Sequence, residues 1–324
     1  MSARPSVVIL CPKEFKFTDH EASVERPFLA DVADLRTVWL EYNAPFPNEV
    51  LDAHALILWH GPRVTAEIVS RMKNCRAIIR NGVGVDSVDL AAAAQAGVPV
   101  CNVPDYGTEE VADHALALTL ALYRQLFPLD AEAKRLGWKI EVAPKMRRLR
   151  TQTFGVVGLG RIGTAAALRA KAFGFRVVFF DPYVPSGTHK AVGVERVTTL
   201  DELLQISDTI SIHCPLTRET NGMIGEREIA RMKPGAFLVN TARGDVVQKA
   251  PLFAALRSGQ LAGAGLDVVE AEPLRTAEEA ATPNLICTCH AAFCSPEGMV
   301  EMRSTSARIA RAAALGQPVW NRMN

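Results

Sequence analysis

Three polar groups stand at the ends of apolar runs in the second half of the chain. Arg243 lies in Asn240-Thr241-Ala242-Arg243-Gly244-Asp245, after AFLV. The acids Glu270 and Glu272 lie in LDVVEAEPL, after GAG, and His290 lies in LICTCHAAFCS. An arginine, a carboxylate and a histidine brought together are what the reduction of a carboxylate-bearing ketone needs. A guanidinium grips a carboxylate through paired, charge-assisted hydrogen bonds. An imidazole gives a proton to the carbonyl oxygen, and a carboxylate orients the ring and favours its charged form. The hydride has to come from a cofactor, and a cofactor signature lies upstream.

Gly158-Leu159-Gly160-Arg161-Ile162-Gly163 is a G-x-G-x-x-G run. The pattern alone is weak, but TFGVV before it reads as a strand and RIGTAAALRAKAF as a helix that starts within it. The next strand, RVVFF, ends at Asp181, about twenty residues on, as a dinucleotide fingerprint requires. Gly158 allows the tight turn, Gly160 the approach of a pyrophosphate, and Gly163 the close seating of the helix. The helix N-terminus, with Arg161 and Ile162, offers N–H groups and partial positive charge to the phosphates. Asp181 accepts from ribose hydroxyls and repels a 2′-phosphate. No arginine stands beside Pro182 and Tyr183 to hold such a phosphate, so the expected cofactor is NAD.

The competing reading of His290 is a metal site, because Cys287, Cys289 and Cys294 surround it. Cys287 and Cys289 are alternate residues of a strand-like run, which puts both on one face and His290 on the other. No second C-x-x-C pair completes a ligand set. No metal is expected. The 7 cysteines are scattered, which fits reduced, mostly buried thiols better than a disulfide framework. His114 and His213 fall within element-like stretches and read as structural.

The elements that must position these groups are short apolar runs alternating with helical stretches. SVVIL, HALILW, RAIIR and VPVCNV come first. FGVVG, RVVFF, TISIHC, AFLVN, GAGLDV and LICTC follow a long Ala- and Leu-rich stretch from about Thr108 to Leu126. Near-continuous apolar strands with short connections to helices imply parallel sheets covered on both faces. The expectation is α/β, with two doubly wound parallel-sheet domains. One is a Rossmann NAD-binding domain over 106–291. The other is a flavodoxin-like substrate domain made of 1–105 plus 292–324, since the final helical stretch, roughly Pro296 to Leu315, can pack back on the first domain. The basic stretch KIEVAPKMRRLR reads as a solvated loop or a dimer arm.

At 324 residues the chain has room for two cores, and 48% hydrophobic with 22% charged residues is ordinary for a globular protein. A net charge of +1 with no basic block argues against direct nucleic-acid binding. No apolar run is long enough to span a bilayer, and MSARPSVVILCP lacks the apolar core of a signal peptide, so a cytoplasmic protein is expected.

These motifs, in this order, resemble the D-isomer-specific 2-hydroxyacid dehydrogenase family, over about Ala53 to Leu315. The wording RAKAFGFRVVFFDPY, GAFLVNTARG and PNLICTCHAAF is most similar to its C-terminal-binding protein branch of NAD(H)-dependent corepressors. The resemblance implies that Arg243 binds the substrate carboxylate and carbonyl, and that Glu272, just before Pro273, pairs with His290, the general acid/base. Glu270 does not match the motif position. Asp267 is implied to meet the nicotinamide carboxamide. Thr241, Ala242, Cys214, Pro215 and Thr220 line the cofactor, with Thr108 and Val83. In Asn81-Gly82-Val83-Gly84-Val85-Asp86 the N–H groups of Val83 and Gly84 hold the substrate carboxylate, and Arg80 also contacts substrate. Trp59 and Phe293 stand where the corepressor branch has Tyr and Trp, so the pocket stays apolar with an altered shape. Cys289 replaces the family's usual Pro, and Gln248 a common acid. The resemblance implies an NAD-dependent D-2-hydroxyacid dehydrogenase, acting on a small 2-keto or 2-hydroxy acid as a homodimer. The other function it implies is an NAD(H)-sensing, corepressor-like adaptor with incidental turnover. The long tails of the eukaryotic corepressors are missing, which favours the enzyme.

Overall fold

The computed structural model describes residues 4–13, 19, 21–41, 44–144 and 146–324. Lys145, within the basic stretch, and Met1 to Ala3 lie outside these residues. The chain divides into two units, Met1–Gly107 with Ser295–Asn324, and Thr108–Cys294. The crossings fall two or three residues beyond the positions read from the sequence, so Phe293 belongs to the second unit.

The first unit is built on β1 (Ser6–Pro12), β2 (Asp34–Leu40), β3 (Ala55–Leu58), β4 (Ala77–Arg80) and β5 (Val100–Cys101). They form a parallel five-stranded sheet in the order β2-β1-β3-β4-β5, the flavodoxin-like order. β3 and β4 are buried at every residue, as strands covered on both faces must be. β2 is absent from the sequence reading. It is an edge strand whose sequence, DLRTVWL, mixes charged and apolar residues, and only Val38 is buried. The Pro296–Ala314 helix packs against β3 and β4 of this unit. Its Arg303 is buried and forms a paired bond to Glu25, at 2.7 Å and 2.6 Å.

The second unit carries β6 (Thr153–Val157), β7 (Arg176–Phe180), β8 (Glu195–Arg196), β9 (Thr209–Ile212), β10 (Ala236–Asn240), β11 (Leu261–Leu266) and β12 (Leu285–Cys287). The parallel seven-stranded order is β12-β11-β10-β9-β6-β7-β8, the Rossmann order with one further strand. The expected long helix runs Thr108–Arg124 and stops at Gln125, which turns left-handed (φ 52), before a second helix, Leu126–Lys134. Tyr123, Phe154, Phe175 and Phe237 form a contiguous aromatic group beneath the sheet. The helix Arg161–Ala172 presents Ala166, Ala167 and Ala170 to that core, small residues that let it sit close to the sheet. Among the described residues, no helix is long and apolar enough to cross a membrane.

Candidate active site

The glycine turn follows β6 and opens the Arg161–Ala172 helix. Gly158 adopts φ 92, and a Cβ there would lie 2.8 Å from the Cys214 backbone nitrogen. A Cβ on Gly163 would lie 2.0 Å from the Gly158 carbonyl oxygen, so this glycine is fixed by contact with the turn itself. At Gly160 a Cβ would meet nothing within 4 Å. Gly160 also brings no side chain to cap the first-turn amides of the helix. That open space above uncapped amides fits a phosphate group. Asp181 takes the Leu159 N–H on Oδ2 at 2.8 Å and the Tyr183 N–H on Oδ1 at 2.9 Å, tying the glycine turn to the end of β7.

The ends of β9 and β10, and the first residue of the Thr108–Arg124 helix, hold polar atoms without protein partners. Thr108 Oγ1, Thr241 Oγ1 and His213 Nδ1 are buried and make no hydrogen bond. Unpaired buried polar atoms are rare, and at strand ends they suit a bound polar molecule. Burial lowers the His213 pKa to about 4, so this ring is neutral, with Nε2 bonded to Ser211 Oγ at 2.8 Å. Burial raises the Cys214 thiol to about 11. The Thr220 hydroxyl is engaged locally: it donates to the Pro215 carbonyl at 2.6 Å and accepts from the Thr217 N–H at 2.8 Å. Pro215 is exposed beside it.

The Arg243 loop leaves β10 through a side-chain staple. Asn240 accepts the Ala242 N–H at 3.0 Å and donates to the Arg243 carbonyl at 2.9 Å. Arg243 Nη1 donates to the Ala242 carbonyl at 2.7 Å. A Cβ on Gly244 would lie 2.0 Å from the Val269 carbonyl, so the loop can lie flat on the segment after β11 only with glycine there.

His290 Nδ1 lies 3.0 Å from Glu272 Oε2. Glu270 is used otherwise: its Oε2 accepts the Lys249 N–H at 2.8 Å, at the start of the Lys249–Ser258 helix. The Phe293 ring stands edge-on to the His290 ring, with centroids 6.4 Å apart. β12 ends at Cys287, and His290 takes a left-handed backbone (φ 53), so the strand alternation expected to part His290 from the two cysteines does not reach it. Cys287, Cys289 and Cys294 are exposed and Cys75 is half-buried, so only Cys11, Cys101 and Cys214 fit the expectation of buried thiols. Burial still raises the Cys287 and Cys294 thiols above their usual value.

Asp267 is 2% exposed and holds the His290 loop. Its Oδ1 accepts from Thr288 Oγ1 at 2.5 Å and the Ala291 N–H at 2.9 Å, and its Oδ2 accepts the Ala292 N–H at 2.9 Å. Its carbonyl accepts the His290 N–H at 2.8 Å. Sequence reasoning gave Asp267 a cofactor contact and missed this second use. It also missed Thr288; His114, read as structural, is bonded, with its Nε2 3.0 Å from Thr288 Oγ1. The available signal was a threonine two residues before His290 and a lone histidine inside an Ala- and Leu-rich helix.

In the five-stranded unit, Arg80 ends β4 and is buried, bonding through Nη1 to the Asn81 carbonyl. A Cβ on Gly82 (φ 144) would lie 2.5 Å from that nitrogen. The Asn102 amide donates to the Val83 carbonyl at 2.7 Å, and the Ser306 hydroxyl donates to Asn81 at 2.7 Å. The Val83–Gly84 loop is therefore fixed by side chains from two other elements. Trp59, after β3, is 2% exposed.

The fold and both loops lead to the same class, and the comparisons agree. The chain belongs to the D-isomer specific 2-hydroxyacid dehydrogenase family, whose NAD binding domain matches residues 116–292. C-terminal-binding protein 1 of Caenorhabditis elegans is 34% identical over 326 residues, 98% of this chain and 44% of that protein. D-3-phosphoglycerate dehydrogenase of Methanocaldococcus jannaschii is 38% identical over 243 residues, 75% of this chain and 46% of that protein. The chain thus spans less than half the length of these two relatives. A D-lactate dehydrogenase from Aquifex aeolicus, solved with NAD and lactic acid, superposes with a TM-score of 0.84 at 31% identity, covering 95% of this chain and 96% of that one. The cofactor of the seven-stranded unit is NAD, and the open cradle at Gly160 fits it.

Proposed function

We propose that the protein is an NAD-dependent oxidoreductase that interconverts a small 2-keto acid and the D-2-hydroxy acid. The observation that carries this reading is the 3.0 Å pair of His290 Nδ1 and Glu272 Oε2 in the unit that bears the dinucleotide turn. When bound, NADH supplies a hydride to the carbonyl carbon. A carboxylate on Nδ1 fixes the proton there, leaving Nε2 as the nitrogen that gives its proton to the carbonyl oxygen. Glu272 holds the imidazole in the orientation this transfer needs. Arg243 holds the substrate carboxylate as a bidentate partner and polarises the carbonyl. Arg80, Trp59 and the amides of Val83 and Gly84 contribute substrate contacts. Phe293 supplies an apolar wall beside the imidazole. Asp181, already oriented by the turn, selects NAD over a cofactor with a 2′-phosphate.

A homodimer goes with this reading. Leu136 and Trp138 are 98% and 93% exposed, with Phe127 and Ile140 also exposed nearby in sequence, an apolar density that a second copy would cover. Three exposed thiols in one segment suit a reducing, cytoplasmic setting. A second reading, an NAD(H)-sensing adaptor, is favoured by the similarity to C-terminal-binding protein 1.

The test is NADH oxidation against pyruvate, glyoxylate, hydroxypyruvate, phenylpyruvate and branched-chain or thioether keto acids. Rapid turnover of one member is expected, and His290→Ala should lower kcat by at least about a hundredfold while NADH still binds. Tight NADH binding with no turnover across the panel would favour the adaptor. Undiminished turnover in His290→Ala would remove the proton-donor assignment.

A further inference from the structure

We propose that Thr288 and His114 are positioning residues for proton transfer at His290, acting through Asp267. This rests on the reading of His290 as proton donor and adds to it the groups that hold the imidazole in place.

The direction of the hydrogen bonds follows from the chemistry of the groups. An ionised carboxylate only accepts. At 2.5 Å from Asp267 Oδ1, the Thr288 hydroxyl is therefore the donor. A hydroxyl has one proton, so at its other contact, 3.0 Å from His114 Nε2, Thr288 can only accept. His114 must then carry hydrogen on Nε2. The donors run one way, from His114 to Thr288 to Asp267, and His114 Nε2 also lies 3.8 Å from Asp267 Oδ1. His114 sits in the Thr108–Arg124 helix, which packs against β10 and β11. A long helix thus anchors a short loop, a more exact support than the loop has by itself.

The loop needs such support. His290 adopts φ 53, a left-handed backbone that is unfavourable for a residue with a Cβ. It stays there because its own N–H and those of the next two residues all end on Asp267. Freed from Thr288, the carboxylate can turn, the loop can relax, and the imidazole can leave Glu272. Displacements of about 1 Å at a reacting group cost up to about a hundredfold in rate.

The experiment compares Thr288→Val with Thr288→Ser, and His114→Leu with His114→Gln, in the full chain, using whichever keto acid supports turnover. Valine and leucine remove the bond, whereas serine and glutamine keep a hydroxyl and an N–H donor. The expected result is a fall in kcat of about ten- to a hundredfold in Thr288→Val and His114→Leu, with KM for the keto acid and NADH affinity nearly unchanged, and recovery in the conservative variants. Amide exchange at Ala291 and Ala292 gives a reading independent of turnover, faster in Thr288→Val and unchanged in Thr288→Ser. Wild-type kcat in Thr288→Val, or equal losses in Thr288→Val and Thr288→Ser, would overturn the proposal. Should Thr288→Val not fold, the His114 pair decides by the same criteria. His290→Ala is the control. If it stays active, the proton-donor reading fails. If it is inactive while Thr288→Val and His114→Leu match wild type, only the positioning role fails.

Discussion

The glycine turn after β6 and the His290 loop after β12 lie at the same edge of one parallel sheet, and opposite means shape them. The turn is shaped by missing side chains: Gly158 and Gly163 sit where any Cβ would strike backbone. The loop is shaped by one residue, Asp267, whose carboxylate collects three donors from residues 288 to 292 and whose backbone carbonyl collects a fourth. The Gly163 clash falls within the glycine run and the Gly158 clash falls on the distant Cys214 backbone, yet both are met by glycines at fixed spacing, which leaves a readable pattern. A carboxylate acts across the more than twenty residues between Asp267 and its partners, and from sequence it looks like any other acid.

The largest expected effect lies in the turn. In Gly163→Ala the new Cβ would be 2.0 Å from the Gly158 carbonyl oxygen, a backbone atom that cannot swing aside. We expect loss of NADH binding and a destabilisation of roughly 3–5 kcal/mol, read by fluorescence titration and by denaturant unfolding. A variant that unfolds like wild type and still binds NADH would break the steric half of the comparison.

The loop should respond next. Asp267→Ala leaves the Thr288 hydroxyl and the Ala291 and Ala292 amides without their acceptor. Buried donors left unpaired cost about 1–3 kcal/mol each before water enters, so a net loss of roughly 2–4 kcal/mol is expected in urea unfolding. Asp267→Asn keeps an acceptor oxygen and should lose less. If Asn and Ala behaved alike, the loop would depend on charge and not on the bonds.

The smallest effect separates the two regions by pH. His213 lies under the glycine turn, its Cβ 3.3 Å from where a Cβ on Gly163 would be, and burial lowers its pKa from 6.5 to about 4. The unfolded chain takes up this proton first as pH falls. Stability is therefore complete above about pH 6.5 and declines between there and about pH 4, by at most about 3 kcal/mol. His213→Asn should flatten that part of the stability–pH curve. A slope equal to wild type would show that His213 is not the dry group described here.

Much of the site was legible because it is written in local grammar. Strand, glycine run, helix and terminal acid occur in one stretch, and the two strands and the helix form where they were read. Arg243, Glu272 and His290 were legible because each ends an apolar run, and parallel strands bring their ends to one edge. β2 was not legible, since an edge strand lacks the two-sided burial that makes β3 and β4 continuous apolar runs. The alternation that was to part His290 from Cys287 and Cys289 failed because the strand stops at Cys287 and the left-handed turn at His290 has no glycine to announce it.

The sequence by itself determined the strand and helix succession, the dinucleotide turn and the candidates for proton and carboxylate chemistry, because these depend on side-chain size, polarity and spacing along the chain. The family resemblance had already set Glu272 and not Glu270 against His290, and the 3.0 Å pair agrees with it; only the tertiary structure decided that Asp267, Thr288 and His114 hold the loop. Those pairings depend on which strand ends become neighbours, and the order β12-β11-β10 brings together residues that the chain keeps far apart.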